Sequence, residues 1–126
     1  MDRYLLDTDV LIEVSRGNEQ AAGYVDSLDN LAISIITAHE LIVGARDKRD
    51  LATIDSLVSV FALEHIDTAV GLLAYDLLKQ HAKPNGLRTF DSLIAAIALE
   101  RNRTLVSKNR KHFAMIEGLR FELPTY

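Results

Sequence analysis

The chain of 126 residues contains no cysteine. No disulfide staples it, no catalytic thiol is available, and the composition fits a reducing compartment. A chain of this length needs no staple, because it buries roughly two-thirds of its unfolded surface. One domain over residues 1–126 is expected. Long hydrophobic runs are also absent. The longest, LIAAIAL at 93–99, falls far short of the roughly 18 residues of a membrane span. The opening MDRYLLD sets an acid and an arginine around a short apolar run, unlike a secretory signal. We therefore expect a cytoplasmic protein with no membrane association. The sequence shows no internal repeat, no Walker loop and no GxSxG elbow. Positive charge is scarce: 14 Lys and Arg against 18 Asp and Glu leave a net charge of −4. That balance argues against a general nucleic-acid binder. The exception is local. Arg101, Arg103, Lys108, Arg110, Lys111 and Arg120 face only Glu117, a basic end on an acidic chain or simply a solvated surface.

What is present is an alternation of short apolar runs and helical periods. YLL at 4–6 reads as a buried strand, and DVLIEVSR as a helix stopped by Gly17-Asn18. Asn18 caps a second helix over about 19–28. LAISI at 31–35 is a strand, followed by a helix from about Ala38 to Arg46. Leu51, Ile54, Leu57, Val58 and Phe61 recur at helical spacing. ALEHI is a weak strand; Asp67 or Thr68 then caps a helix to about Ala82, broken by KPNG. TFDSLIAAIALERN is apolar around most of its circumference, hence a buried helix. TLVS at 104–107 and LRFEL at 119–123 complete the strands. Strands alternating with helices predict an α/β/α sandwich on a mostly parallel central sheet.

In such sheets chemistry gathers at the carboxyl ends of the strands. Asp7 and Asp9 fall just past the first strand, between two apolar segments. One carboxylate suffices to cap a helix and suit its dipole; two suggest a further task. Glu40 follows the second strand, where Thr37-Ala38-His39-Glu40 also fits a capping box. Asp91 heads the most apolar helix, an ordinary dipole position if Thr89 is the cap. Asn109 and His112 follow the strand at 104–107, where Asn is a common turn residue. The other three histidines share no metal-ligand spacing. Converging carboxylates repel unless a cation neutralises them. Magnesium takes one or two carboxylates plus waters and phosphate oxygens.

LLDTDVLIEV, ITAHELIVGA, FDSLIAAIAL and LVSKNRKHF resemble, in order and spacing, the blocks of PIN-domain ribonucleases, above all the small VapC-type toxins of toxin–antitoxin pairs. The resemblance spans nearly the whole chain. It implies a Mg2+- or Mn2+-dependent endoribonuclease with a PIN-like fold. By position, Asp7, Glu40 and Asp91 match the family's catalytic, metal-binding acids. A fourth acid is common where Asn109 or His112 stands, and this chain has none there; Asp9, where relatives often have Asn, and Asn109 are further metal candidates. Thr8, Thr37 and Ser107 would orient the carboxylates, and Arg46, Lys108, Arg110 and Lys111 would contact RNA phosphates. The likeness also implies a cognate VapB-like antitoxin and a homodimer; Tyr24, Val25 and Leu28 are one guess at its surface.

Three other readings compete. A receiver-like regulatory domain would pair the acids after the first strand with Lys108 after a later one, though neither Asp55 nor Asp67 fits well as a phospho-acceptor ending a middle strand. Asp7-Thr8-Asp9-Val10-Leu11 resembles the first motif of haloacid dehalogenase-type phosphatases, though no later paired-Asp motif follows. The missing fourth acid also fits a catalytically inactive PIN-fold binding module.

Overall fold

The computed structural model describes residues 2–126. Its elements run β1 (Tyr4–Leu6), α1 (Thr8–Ser15), α2 (Glu19–Asp26), β2 (Leu31–Ser34), α3 (Ile35–Val43), α4 (Lys48–Val58), β3 (Ala62–Glu64), α5 (Thr68–Asn85), α6 (Thr89–Glu100), β4 (Thr104–Val106), α7 (Arg110–Phe113) and β5 (Phe121–Glu122). The five strands form one wholly parallel sheet in the order β3-β2-β1-β4-β5. The architecture is the expected α/β/α sandwich.

The strand period of two builds both cores. Leu5, Ala32 and Leu105 point to one face, where they meet α5, α6, Phe113 and Ile116. Their neighbours Leu6, Ile33 and Val106 point to the other, against Val10, Leu11, Val25, Ala38, Leu41 and Ile54. Each central strand is therefore apolar at successive positions, as a sheet covered on both faces requires. Along α6, Ile94, Ala95, Ala96, Ile97 and Ala98 are all buried. Its alanines let the helix lie close to its neighbours.

Three helix boundaries differ from expectation. First, α3 starts at Ile35 with no spacer after β2: Ser34 is the N-cap and accepts a bond from the Thr37 N–H. The Thr37 capping box is thus not formed, and Glu40 sits in the second turn. Second, Arg88 rather than Thr89 precedes α6, without a side-chain cap. Asp91 is its third residue, and the Thr89 carbonyl accepts from Ser92 Oγ instead. Third, α5 continues through Pro84 to Asn85. A proline so close to a helix end forfeits one backbone bond and disturbs little beyond it. The stop comes from Gly86, whose φ of 71° lies in the left-handed region.

The supposed basic end also dissolves. Arg101 pairs with Glu64 and Asp67. Arg103 donates to Glu64 and to the carbonyls of Tyr4 and Asn30, and Arg120 to Asn102. These three bind parts of the fold to one another. Of the trio Tyr24, Val25 and Leu28, Val25 is buried, and Tyr24 and Leu28 are half-buried against the core. Among the described residues, no helix is long and apolar enough to cross a membrane.

Candidate active site

The chain lays down β1, β2 and β3 on one side, then returns past β1 to place β4 and β5 on the other. The order reverses between β1 and β4, the place beyond the strands' carboxyl ends where sheets of this kind bind ligands. Asp7 follows β1 directly, and its N–H donates to the Val106 carbonyl of β4 at 2.9 Å. Its carboxylate caps α1 through the Thr8 N–H at 2.8 Å and lies 2.7 Å from Ser107 Oγ. Only 6% of Asp7 is exposed. Burial first, and then the charge of Asp9, push its carboxyl up to about 7; Asp91 adds to the rise, while Ser107 and the Thr8 N–H oppose it. Burial also raises Asp9.

Ser107 has one hydroxyl hydrogen and two carboxylates to serve: Asp9 Oδ2 lies 3.2 Å from the same Oγ. Asp9 Oδ2 also accepts from the Lys108 N–H, and Ser107 Oγ accepts from the Asn109 N–H. The network closes if Asp7 keeps a proton and gives it to Ser107, which then gives its own to Asp9. Asp9 Oδ1 is buried without a partner.

Glu40 is tied to the same edge from the other flank. Thr8 Oγ1 lies 2.7 Å from Glu40 Oε1 and 3.1 Å from Thr37 Oγ1. The carboxylate can only accept, so Thr8 donates to it and Thr37 donates to Thr8. Ser34 Oγ, 3.2 Å from Thr37 Oγ1, extends the chain inward. Ser34, Thr37 and Ser107 have no exposed surface, so these hydroxyls are fixed supports. Asp91, at the head of α6, has its Oδ2 3.0 Å from His112 Nδ1.

The donor set consists of hard carboxylate oxygens around a carboxyl that negative neighbours disfavour, and on that chemistry it fits a hard divalent cation. No three His, Asp or Glu side chains among the described residues stand close enough together to hold a metal by themselves. A Mg2+-type ion uses one or two carboxylates and completes its shell with water and phosphate oxygens, so an open arrangement suits it. An apolar cleft of about 440 Å³ adjoins Glu40, lined also by Ile36, His39, Val43, Gly44 and Phe90.

The proposed phosphate contacts are dispersed. Lys108 is engaged: its ammonium pairs with Glu13 and lies 4.6 Å above the Tyr126 ring. Arg46 pairs with Asp50 at 3.2 Å. Arg110 and Lys111 are exposed. Sequence reasoning passed over Ser34, Glu13 and Tyr126. It also left His112 without a role, although its spacing three after Asn109, the residue that caps α7, brings the two side chains together.

A family model described as PIN domain matches residues 4–119. No curated protein matches the chain by sequence. Among solved structures, DNA-bound VapBC from Salmonella typhimurium aligns with a TM-score of 0.83 and 26% identity, covering 98% of each chain. A toxin–antitoxin complex from Klebsiella pneumoniae aligns at 0.79 and 27%, covering 92% of this chain and 94% of that one. VapBC from nontypeable Haemophilus influenzae aligns at 0.78 and 26%, covering 94% and 96%.

Proposed function

The chain belongs to the PIN-domain family, and from that premise we propose that it is a divalent-metal-dependent endoribonuclease, the toxin of a toxin–antitoxin pair. One observation carries the reading: a buried carboxylate, Asp7, at the switch point of a parallel sheet, with Asp9 and Asp91 near enough to raise its pKa.

Asp7, Glu40 and Asp91 would hold the ion, Mg2+ or Mn2+, with one or two carboxylates bound directly and the rest through its waters. When bound, it lowers the pKa of water and stabilises charge on the scissile phosphate. The protein's own part is to fix the acids. The Thr8 N–H and Ser107 hold Asp7, and the Thr37–Thr8 relay holds Glu40. With a cation bound, Asp7 would be ionised and would accept the Ser107 hydrogen. Asp9 keeps the Lys108 N–H, so it serves as a support for Asp7 and the loop after β4. Asn109 lies in that loop, its N–H spent on Ser107. Arg110 and Lys111 are the exposed cations best suited to RNA phosphates.

The partner reading is supported by the likeness of the chain to solved structures that are themselves toxin–antitoxin complexes. A VapB-like antitoxin would block the acids, with the apolar cleft beside Glu40 as a seat for its inhibiting segment. A homodimer is the working unit in this reading, measurable as molar mass in solution.

The test is cleavage of end-labelled RNA by purified, antitoxin-free protein with Mg2+ or Mn2+, with EDTA, and with Asp91→Asn. Metal-dependent cuts leaving 5′-phosphates, lost in the variant, are expected. Cuts that persist in Asp91→Asn would overturn the site. No cleavage of any RNA by the folded protein would leave a binding module.

A further inference from the structure

In the site, His112 occupies the region where a fourth carboxylate is missing. Its Nδ1 lies 3.0 Å from Asp91 Oδ2 and 2.8 Å from the Asn109 side-chain amide nitrogen. One ring nitrogen cannot accept a hydrogen from Asn109 and also donate one to Asp91. The ionised carboxylate only accepts, so Nδ1 carries the hydrogen. The Asn109 amide then turns its oxygen toward the ring, the orientation the hydrogen-bond network requires. The Asn109 N–H meanwhile donates to Ser107 Oγ, which bonds Asp7. One loop therefore joins the two carboxylates through a serine, an asparagine and a histidine, without adding charge.

We propose that His112 is a positioning residue for Asp91: its Nδ1–H holds Oδ2, with Asn109 behind it, and leaves Oδ1 to a divalent cation. The inference rests on the reading of the acids as a cation site. A histidine that holds a ligating carboxylate restricts its orientation, and losing such a support typically weakens metal binding 10- to 100-fold. His112 thus does by hydrogen bonding what an acid at this place would do by ligation, with one carboxylate fewer in the site.

The geometry separates positioning from direct ligation. In His112→Asn the amide nitrogen replaces Nδ1 and can still donate to Asp91. In His112→Gln the amide reaches the place of Nε2 instead. Mn2+ binding to the whole protein is read from the loss of the free-ion EPR signal, with thermal unfolding in EDTA as the check of folding. His112→Ala and His112→Gln should bind Mn2+ at least about tenfold more weakly than the parent. His112→Asn should stay within about threefold, because its donor remains. The proposal is overturned if folded His112→Ala binds Mn2+ as the parent does. It is equally overturned if Gln rescues and Asn does not, since Nε2 would then be the working atom. If the parent binds no Mn2+ while folded, the cation reading itself falls, and the proposal with it.

Discussion

At the scale of single residues, Asp7 determines how the site trades stability against readiness. Its carboxyl lies near 7 in the folded chain against 3.8 as a free side chain. Between those values the native state holds a proton that the unfolded state has lost. Asp7 therefore favours folding most below pH about 4, and that support declines as pH rises through 7. Asp7→Asn removes the penalty and keeps the helix cap. The gap sets a ceiling of ~4 kcal/mol, and local relaxation should leave about 2. In thermal unfolding with EDTA, Asp7→Asn should match the parent near pH 4 and unfold several degrees higher at pH 8. A difference constant with pH would mean that Asp7 does not hold the proton. Thr8 makes the opposite kind of contribution. Thr8→Val keeps the shape and removes the donor to Glu40. It should cost about 1–2 kcal/mol in stability and 10- to 100-fold in metal-dependent cleavage. Thr8→Ser, which keeps the hydroxyl, should recover most of both.

At the scale of elements, cations that look alike in the chain serve different ends. The Arg103 side chain is 11% exposed, with bonds to Glu64, Tyr4 O and Asn30 O. Arg103→Ala would leave Glu64 with fewer partners and the Tyr4 and Asn30 carbonyls each one donor short, at about 2–4 kcal/mol. Arg110→Ala and Lys111→Ala should change the unfolding midpoint little. In a binding assay with single-stranded RNA, each should flatten the dependence of log affinity on log salt by roughly 0.7. Equal stability loss in all three would contradict this division. The alternation of elements was legible because each central strand is a short apolar run and each helix carries its own period. The acids were legible because three of them fall at or just beyond the ends of such runs. Junctions were harder. Ser34 rather than Thr37 caps α3 because β2 passes into the helix without a turn residue, and that choice depends on Thr37 facing Thr8 across 29 positions. Contacts made by packing were not legible at all: Lys108 reaches Glu13 across 95 positions and His112 reaches Asp91 across 21.

At the scale of the whole molecule, the acidic edge makes stability conditional on what binds there. Carboxylates held near one another cost the metal-free fold, and a cation binding only the native state repays it by mass action. At a concentration 100 times its dissociation constant, Mn2+ should stabilise the parent by about 2.7 kcal/mol, or several degrees in a chain of this size. Asp7→Asn, stabilised without metal, loses a charged ligand and should respond much less. The order of the two proteins should therefore invert: Asp7→Asn unfolds higher in EDTA at pH 8, and the parent unfolds higher in saturating Mn2+. The inversion follows from the same buried carboxylate being a burden alone and a ligand when paired. A general change in packing would move both curves together, whatever the metal. Thermal scans of the two proteins, each with and without Mn2+, decide between these accounts. Curves that keep their order with and without Mn2+ would show that Asp7 is not where the cation binds.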